Sequence, residues 1–154
     1  MPPRDEMVVR NLLPEDRDAV VGIDSRIMGR RREEFFKLKL RQAASDTGVA
    51  VSLAAEIDAA VVGFLLARVY YGEFGITERV AVMDVLGVHP DFRGRHVGRA
   101  LLDQIRTNLL ALGIKTMQTE VAWDSRELID FFHREGFLLA PRLCLDLDLE
   151  KTRA

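Results

Sequence analysis

The chain has one cysteine, Cys144, and three histidines in 154 residues. A lone thiol cannot close an internal disulfide, so nothing in the sequence points to an oxidising compartment. Without CxxC or HxxxH spacing, the few histidines argue against a metal site. Long apolar runs are missing as well. The longest, such as Ala59 to Ala67, reach about half of the roughly 20 residues that a bilayer span needs. The opening MPPRDEM has no apolar stretch, so no secretory signal is expected. Neither sign of charge dominates: 22 Lys and Arg face 24 Asp and Glu, for a net charge of −2. That balance gives no global attraction to nucleic acid or to an anionic membrane. What is present is 48% hydrophobic and 30% charged residues, the mix of a globular chain with one core. The length suits a single domain over residues 1–154, at roughly 150 residues per domain. The expectation is a cytoplasmic domain with a small-molecule or peptide partner.

Periodicity divides the chain into alternating element types. Met7 to Arg10 reads as a short strand, and Pro14, Glu15 and Asp16 open a helix that runs to about Ile27 and breaks near Gly29. Arg31 to Ala44 reads as a second helix, with Phe35, Leu38 and Ala43 as inward candidates. The period then changes to two. Val49 to Ile57 and Ala60 to Tyr70 are strand-like and joined tightly by Asp58-Ala59; Gly72 to Glu78 makes a turn before a third run, Val80 to Val88. Their near-continuous apolar character predicts a sheet covered on both faces. Leu101, Leu102, Ile105, Leu109 and Leu112 then recur at helical spacing, with Gly113 as the stop. Ile114 to Ala122 reads as a strand. Asp124 and Glu127 have capping-box spacing ahead of a helix that ends near Glu135, with Gly136 just beyond. Leu143, Leu145, Leu147 and Leu149 alternate with Cys144, Asp146, Asp148 and Glu150, the pattern of a strand with one buried and one wet face. The predicted order is β-α-α-β-β-β-α-β-α-β, an α/β domain.

The richest stretch is VLGVHPDFRGRHVGRALL, Val85 to Leu102. A strand ends at Val88, a turn carries Arg93, Gly94, Arg95 and Gly98, and an amphipathic helix follows at once. The amides of such a turn, with those of the first helical turn, form a concavity for anions. Glycine permits close approach and positive φ. Arg93, Arg95 and Arg99 add charge suited to a pyrophosphate or ribose phosphate. The stretch is not a Walker A loop, since no Gly-Lys-Ser/Thr follows, and it is not a GxGxxG dinucleotide loop.

RGRHVGRALL resembles motif A of the Gcn5-related N-acetyltransferases, Arg/Gln-x-x-Gly-x-Gly/Ala. Arg93 and Gly98 match, whereas His96 stands where the first glycine is usual. Val88-His89-Pro90 is similar to the ending of the family's fourth strand. Downstream, TEVAWDSRELIDFFHREGF resembles the family's second signature: Gly136-Phe137 match, Ser125 holds the asparagine position and Phe132 the tyrosine position. The resemblance implies a GNAT-like fold, with a mixed, mostly antiparallel central sheet and helices on both faces. It also implies acetyl-CoA as cosubstrate, with no metal. The amides of Arg93, Gly94, Arg95, His96, Val97, Gly98, Arg99 and Ala100 would grip the diphosphate. Backbone groups near Leu86 and Val88 would bind the pantetheine arm, with Ser125 and Phe132 also on the cofactor side.

The same resemblance implies acetyl transfer by direct attack of an amine, which must first lose a proton. Glu120 matches the base position of the ribosomal-protein N-terminal acetyltransferases. Asp84 competes: it interrupts the apolar run AVMDVLGV and, by the two-residue period, shares a face with Leu86 and Val88. A carboxylate there needs a partner, and a structural salt bridge is the alternative to a base or an anchor for a cationic acceptor. Phe132 has no proton to give, unlike the family's usual tyrosine acid, and His133 points about 100° away around the helix. Tyr70 and Tyr71 read as acceptor-site wall. The segment IDSRIMGRRREEFF reads as the acceptor-side flap, where Arg26 or Arg30 would suit an acceptor carboxylate and Glu33 or Glu34 a basic acceptor. The leading reading is an N-acetyltransferase for a protein N-terminus or lysine, ahead of a small amine. The alternative is a CoA-binding regulatory module with little catalysis. Nucleic acid and membrane partners are not expected, and the carboxy-terminal leucine row allows a homodimer.

Overall fold

Proline at position 14 presets the turn that starts the first helix, and two acids at the helix's positive end support it. In the computed structural model, which describes residues 6–45, 51–71, 75 and 77–151, strand β1 (Met7–Asn11) leads through a single 3-10 turn, Pro14–Asp16, into helix α1 (Arg17–Met28). Gly29 stops α1 in the left-handed region at φ 76°. Helix α2 spans Glu33–Ser45, followed by strands β2 (Leu53–Ile57), β3 (Ala60–Tyr70) and β4 (Val80–Val88). Helix α3 (Val97–Ala111), the short strand β5 (Met117–Thr119) and helix α4 (Arg126–Arg134) complete the described elements. The sheet order is β1-β2-β3-β4-β5. The first four strands form an antiparallel meander, and β5 lies parallel to β4.

The β2–β3 hairpin closes on two residues as expected, with Asp58 at φ 51° and Ala59 at φ 62°. Positive φ at both positions matches the right-handed twist of the strands it joins.

Alternation along β3 assigns the two layers. An added Cβ at Gly63 would lie 2.7 Å from Val97 Cγ1, so α3 is packed directly on that face. Phe64 points the other way, into a cluster with Val20, Val21 and Ile23 of α1, Phe36 of α2, and Leu66. Phe36 and Phe64 meet edge to face at 5.8 Å, a favoured aromatic geometry. Helices therefore cover both faces of the sheet, and the buried Leu101, Leu102, Ile105 and Leu109 of α3 fill the second layer.

Two compact units divide the chain, Met1–Glu120 and Val121–Ala154. The first holds the whole sheet with α1, α2 and α3. In the second, Gly136 at φ 97° ends α4. Phe137 then turns back, its N–H donating to the Phe132 carbonyl at 2.9 Å, and its ring lies 5.0 Å from that of Phe132.

Several expectations are corrected. In α2 the core position belongs to Phe36, which is fully buried, while Leu38 is half exposed; the inward stripe is displaced from the one read from sequence. The strand expected from Ile114 to Ala122 shortens to Met117–Thr119. Helix α4 takes Ser125, not Asp124, as its N-cap, and no side chain caps it. No strand forms over Leu143–Glu150, because no described strand pairs with that segment. Val49, Ala50 and most of the Gly72–Glu78 turn lie outside the described residues, as does the side chain of Ala43.

Candidate active site

A register slip in the centre of the sheet builds the site. Leu66 pairs with Val85, but Ala67 pairs with Met83, which leaves Asp84 as the extra residue of a β-bulge in β4. Bulges bend a strand and redirect a side chain. Asp84 therefore joins Val85 on the α1/α2 face of the sheet, whereas Leu86 and Val88, opposite Leu65 and Gly63, lie on the α3 face. The expectation that Asp84 shares a face with Leu86 and Val88 is thus corrected, because a bulge resets the two-residue period.

At the same point β5 leaves β4. The parallel pairing covers Ala81, Val82 and Met83 opposite Met117, Gln118 and Thr119, and stops there. The Thr119 hydroxyl donates to the Met83 carbonyl at 3.0 Å and seals the last rung. No described strand pairs with that edge of β4 from Asp84 to Val88. A half-open strand edge of this kind offers main-chain donors and acceptors to an extended, amide-containing ligand. On its other edge β4 is paired with β3 on both sides of the bulge, and His89 N–H donates to the Val62 carbonyl at 2.8 Å where the strand ends. Gly87 is needed because an added Cβ would lie 2.5 Å from the Phe64 ring.

The chain next makes a 3-10 turn, Pro90–Phe92, in which Asp91 N–H donates to His89 Nδ1 at 3.1 Å. Gly94 follows at φ 77°, and His96 is the N-cap of α3 at φ 60°, ψ 26°. His96 thus adopts the left-handed conformation that a glycine would take freely. Alternating handedness at a helix start turns successive amides inward and makes an anion nest. The first amides of α3 have no carbonyl of the helix behind them, and Val97 and Gly98 are among them. Val97 itself is buried and serves as the anchor of the helix start on Gly63. Arg93, Arg95 and Arg99 are exposed around the loop, and the Arg95 guanidinium lies 5.3 Å from the Phe92 ring centroid. Arg26 of α1 reaches Asp91 at 3.4 Å and ties the first helix to this turn.

These features fit a coenzyme A diphosphate and its pantetheine arm: an anion nest at a helix N-terminus opens next to an unpaired strand edge.

Asp84 does not stand alone. Arg68 Nε donates to Oδ2 at 2.9 Å and Nη2 to Oδ1 at 3.3 Å. Lys39 Nζ of α2 lies 3.8 Å from Oδ1 and 6.0 Å from the Phe35 ring. The Arg68 guanidinium is also 5.9 Å from the Tyr70 ring. Arg68 and Lys39 were missed in the sequence. The available signal was a lone arginine within the apolar run of β3 at the same depth as the lone aspartate of β4. Glu120 is exposed one residue past β5, where that strand has already parted from β4.

Between α1 and α2, Arg32 is locked to buried Asp24 of α1 by two bonds of 2.8 and 2.6 Å and lies 4.5 Å over Phe35. Its hydrogen bonds to Asp24, together with that carboxylate's charge, hold the Arg32 guanidinium above its ordinary pKa against the opposing effect of burial. An open depression there is lined by Arg30, Arg31, Arg32, Glu33, Glu34 and Phe35. In the second unit, Ser125 caps α4, and Phe132 lies between Phe131 and Phe137 with ring distances of 5.4 and 5.0 Å.

Residues 14–137 match the acetyltransferase (GNAT) family. The chain belongs to that family. Membership makes this GNAT protein an acyltransferase of the N-acetyl-transferring kind. Solved structures with the same fold include an aminoglycoside N-acetyltransferase, AAC(6')-Iy, in complex with CoA, at 16% identity and a TM-score of 0.79, covering 97% of this chain and 99% of that one. The ribosomal-protein-S18-alanine N-acetyltransferase from Escherichia coli is 20% identical with a TM-score of 0.72, covering 88% of this chain and 79% of that one. Ard1 from Thermoplasma volcanium is 22% identical with a TM-score of 0.72, covering 87% and 84%. Among the described residues no helix is long and apolar enough to cross a membrane, and no cluster of candidate metal ligands occurs.

Proposed function

We propose that this GNAT protein acts as one domain, in the cytoplasm, and moves the acetyl group of acetyl-CoA to a protein amine, an N-terminus or a lysine. The observation that carries the reading is the parting of β4 and β5 after Met83 and Thr119, next to the nest at Gly94, His96 and Gly98. When bound, acetyl-CoA supplies an activated acetyl thioester. The chain's own residues divide the remaining tasks. Main-chain groups from Arg93 to Ala100 bind the diphosphate, and those of Leu86 and Val88 hold the pantetheine arm in the open edge of β4.

An attacking amine must shed a proton, since lysine amines have a pKa of about 10.4 and N-terminal amines about 8. We assign that task to Glu120, which projects into solvent where the two strands separate. Such a base contributes roughly 10²–10⁴-fold. Asp84 is the weaker base because Arg68 and Lys39 already occupy its oxygens, and the same contacts make its role that of a structural ion pair between β3, β4 and α2. The CoA thiolate that leaves needs little acid help, being only weakly basic (thiol pKa about 8.5), and can take its proton from water, so Phe132 in place of a tyrosine leaves the reaction feasible.

The test is incubation with acetyl-CoA and a panel of peptide and small amines, following release of free thiol. Turnover on a peptide amine supports the reading. Tight CoA binding with no turnover on any amine favours a regulatory module, and neither binding nor turnover removes both.

A further inference from the structure

We infer that Lys39 recognises a carboxylate on the acceptor, so that the amines this chain acetylates carry an acidic group close by; the inference rests on the acetyl-transfer reading above. Asp84 faces two cations, but only one of them is hydrogen-bonded to it. Arg68 reaches both oxygens, at 2.9 and 3.3 Å. Lys39 Nζ lies 3.8 Å from Oδ1, beyond the roughly 3.5 Å within which a hydrogen bond forms. Its only aromatic contact is with Phe35, whose ring is 6.0 Å away, at the outer limit of a cation–π interaction. Two positive charges therefore answer one negative charge, and Asp84 engages none of the three donors of the ammonium. The Lys39 side chain is half-buried. A cation held that way, with part of its hydration removed, is matched by an anion that arrives with a ligand.

Its position decides which ligand that is. Met83 and Thr119 form the last rung between β4 and β5, and Asp84 is the first residue of β4 beyond it. Lys39 thus stands where the strand edge opens, on the α1/α2 face of the sheet. Leu86, assigned to the pantetheine arm, follows two residues after Asp84, about 7 Å along the strand. The cation and the assigned pantetheine segment are neighbours on one strand. Phe35 connects this point to the depression between α1 and α2, which it also lines. There the charges cancel: Arg32 is bonded to Asp24 and Arg31 to Glu33, with Arg30 set against Glu34. The sign of the preference is therefore set at Lys39. A basic acceptor would bring its second cation towards Lys39 and Arg68 and be repelled, whereas an acidic one meets an ammonium with donors to spare.

Calorimetry on the full chain with saturating CoA tests this without requiring turnover. The probes are N-acetylated alanine tetrapeptides with aspartate or asparagine at the first or second position. Free N-acetylaspartate and N-acetylasparagine beside them separate a peptide acceptor from an amino acid. In at least one pair the acid is expected to bind about tenfold or more tighter than its amide. Lys39→Met is expected to abolish that difference with CoA affinity unchanged, and Lys39→Arg to retain it. Equal affinity for acid and amide in every pair overturns the inference, as does a preference that Lys39→Met leaves intact. The comparison of acid with amide on the unmodified protein does not depend on any variant's folding. Thiol release from the free-amine forms is read separately: turnover with no acid preference removes this inference alone, and acid preference in binding with no turnover removes only the acetyl-transfer reading.

Discussion

Arg68 grips Asp84 across the β3–β4 pair through both of its oxygens, at 2.9 and 3.3 Å, at the one residue of β4 that has no partner on β3. The bulge gives the carboxylate its direction, and the guanidinium fixes its orientation. Asp84→Asn removes the charge that two cations face, at a site only 14% exposed. The expected cost is about 1–3 kcal/mol of stability. Below the new melting transition, kcat and KM should both stay within tenfold, because the carboxylate is taken up by Arg68 and Lys39. Glu120→Gln should show the reverse, a fall in kcat of about 10²–10⁴-fold without loss of stability. Steady-state kinetics beside thermal melts separate the two; a larger kcat loss in Asp84→Asn than in Glu120→Gln would exchange their roles.

His96 and Ala59 both hold positive φ, at 60° and 62°. Each pays the steric penalty that glycine avoids, on the order of 1 kcal/mol. His96→Gly and Ala59→Gly should therefore each stabilise the protein by up to about 1 kcal/mol, partly offset by glycine's greater unfolded-state freedom. Gly94→Ala, at φ 77°, should destabilise by a similar amount and weaken CoA binding. Denaturant titration and CoA calorimetry on the three variants check this.

Asp16 is clamped by Arg10, which donates at 2.7 and 2.8 Å, and accepts the Leu13 N–H at 2.7 Å. The Arg10 bond is the main cause holding its carboxyl below the ordinary value of 3.8, against the opposing effect of burial. A depressed folded-state pKa means the unfolded chain binds protons first as pH falls. The stabilisation is thus complete above the ordinary carboxylate range and is lost as pH drops below about 4. Asp16→Asn should cost about 1–3 kcal/mol at pH 7, and its deficit against the parent should shrink steadily between about pH 4 and pH 2. A deficit that does not change with pH would contradict this.

Phe132 contacts the rings of Phe131 and Phe137 and has no proton to transfer. Phe132→Leu should cost about 1–2 kcal/mol by lost packing while kcat, measured well below the melting temperature, stays within tenfold. A drop beyond a hundredfold in a folded variant would give the ring a role in the reaction.

Much of the fold was legible because it rests on local signals: Pro14 and Gly29 bracket α1, Asp58-Ala59 closes the hairpin, and Gly113 and Gly136 end their helices. The Arg93–Arg99 nest was legible for the same reason, since its residues are contiguous. What the sequence hid depends on pairing between distant segments. The bulge at Asp84 appears only when Leu66 and Ala67 of β3 are set against β4, and it reversed the face assigned to that carboxylate. The partnership of Lys39, Arg68 and Asp84 joins three elements. The leucine row after residue 142 reads as a strand with one buried face, but a strand also needs a pairing partner, and none of the described strands pairs with it.

Amide hydrogen exchange of the whole chain with and without CoA, resolved residue by residue, tests the central claim most directly. Marked slowing is expected at Gly94 to Ala100 and along Val85 to Val88, with little change in β1 and β2. If CoA instead protects a different surface, and leaves those two stretches exchanging as before, the cleft between β4 and β5 is not where the cosubstrate binds.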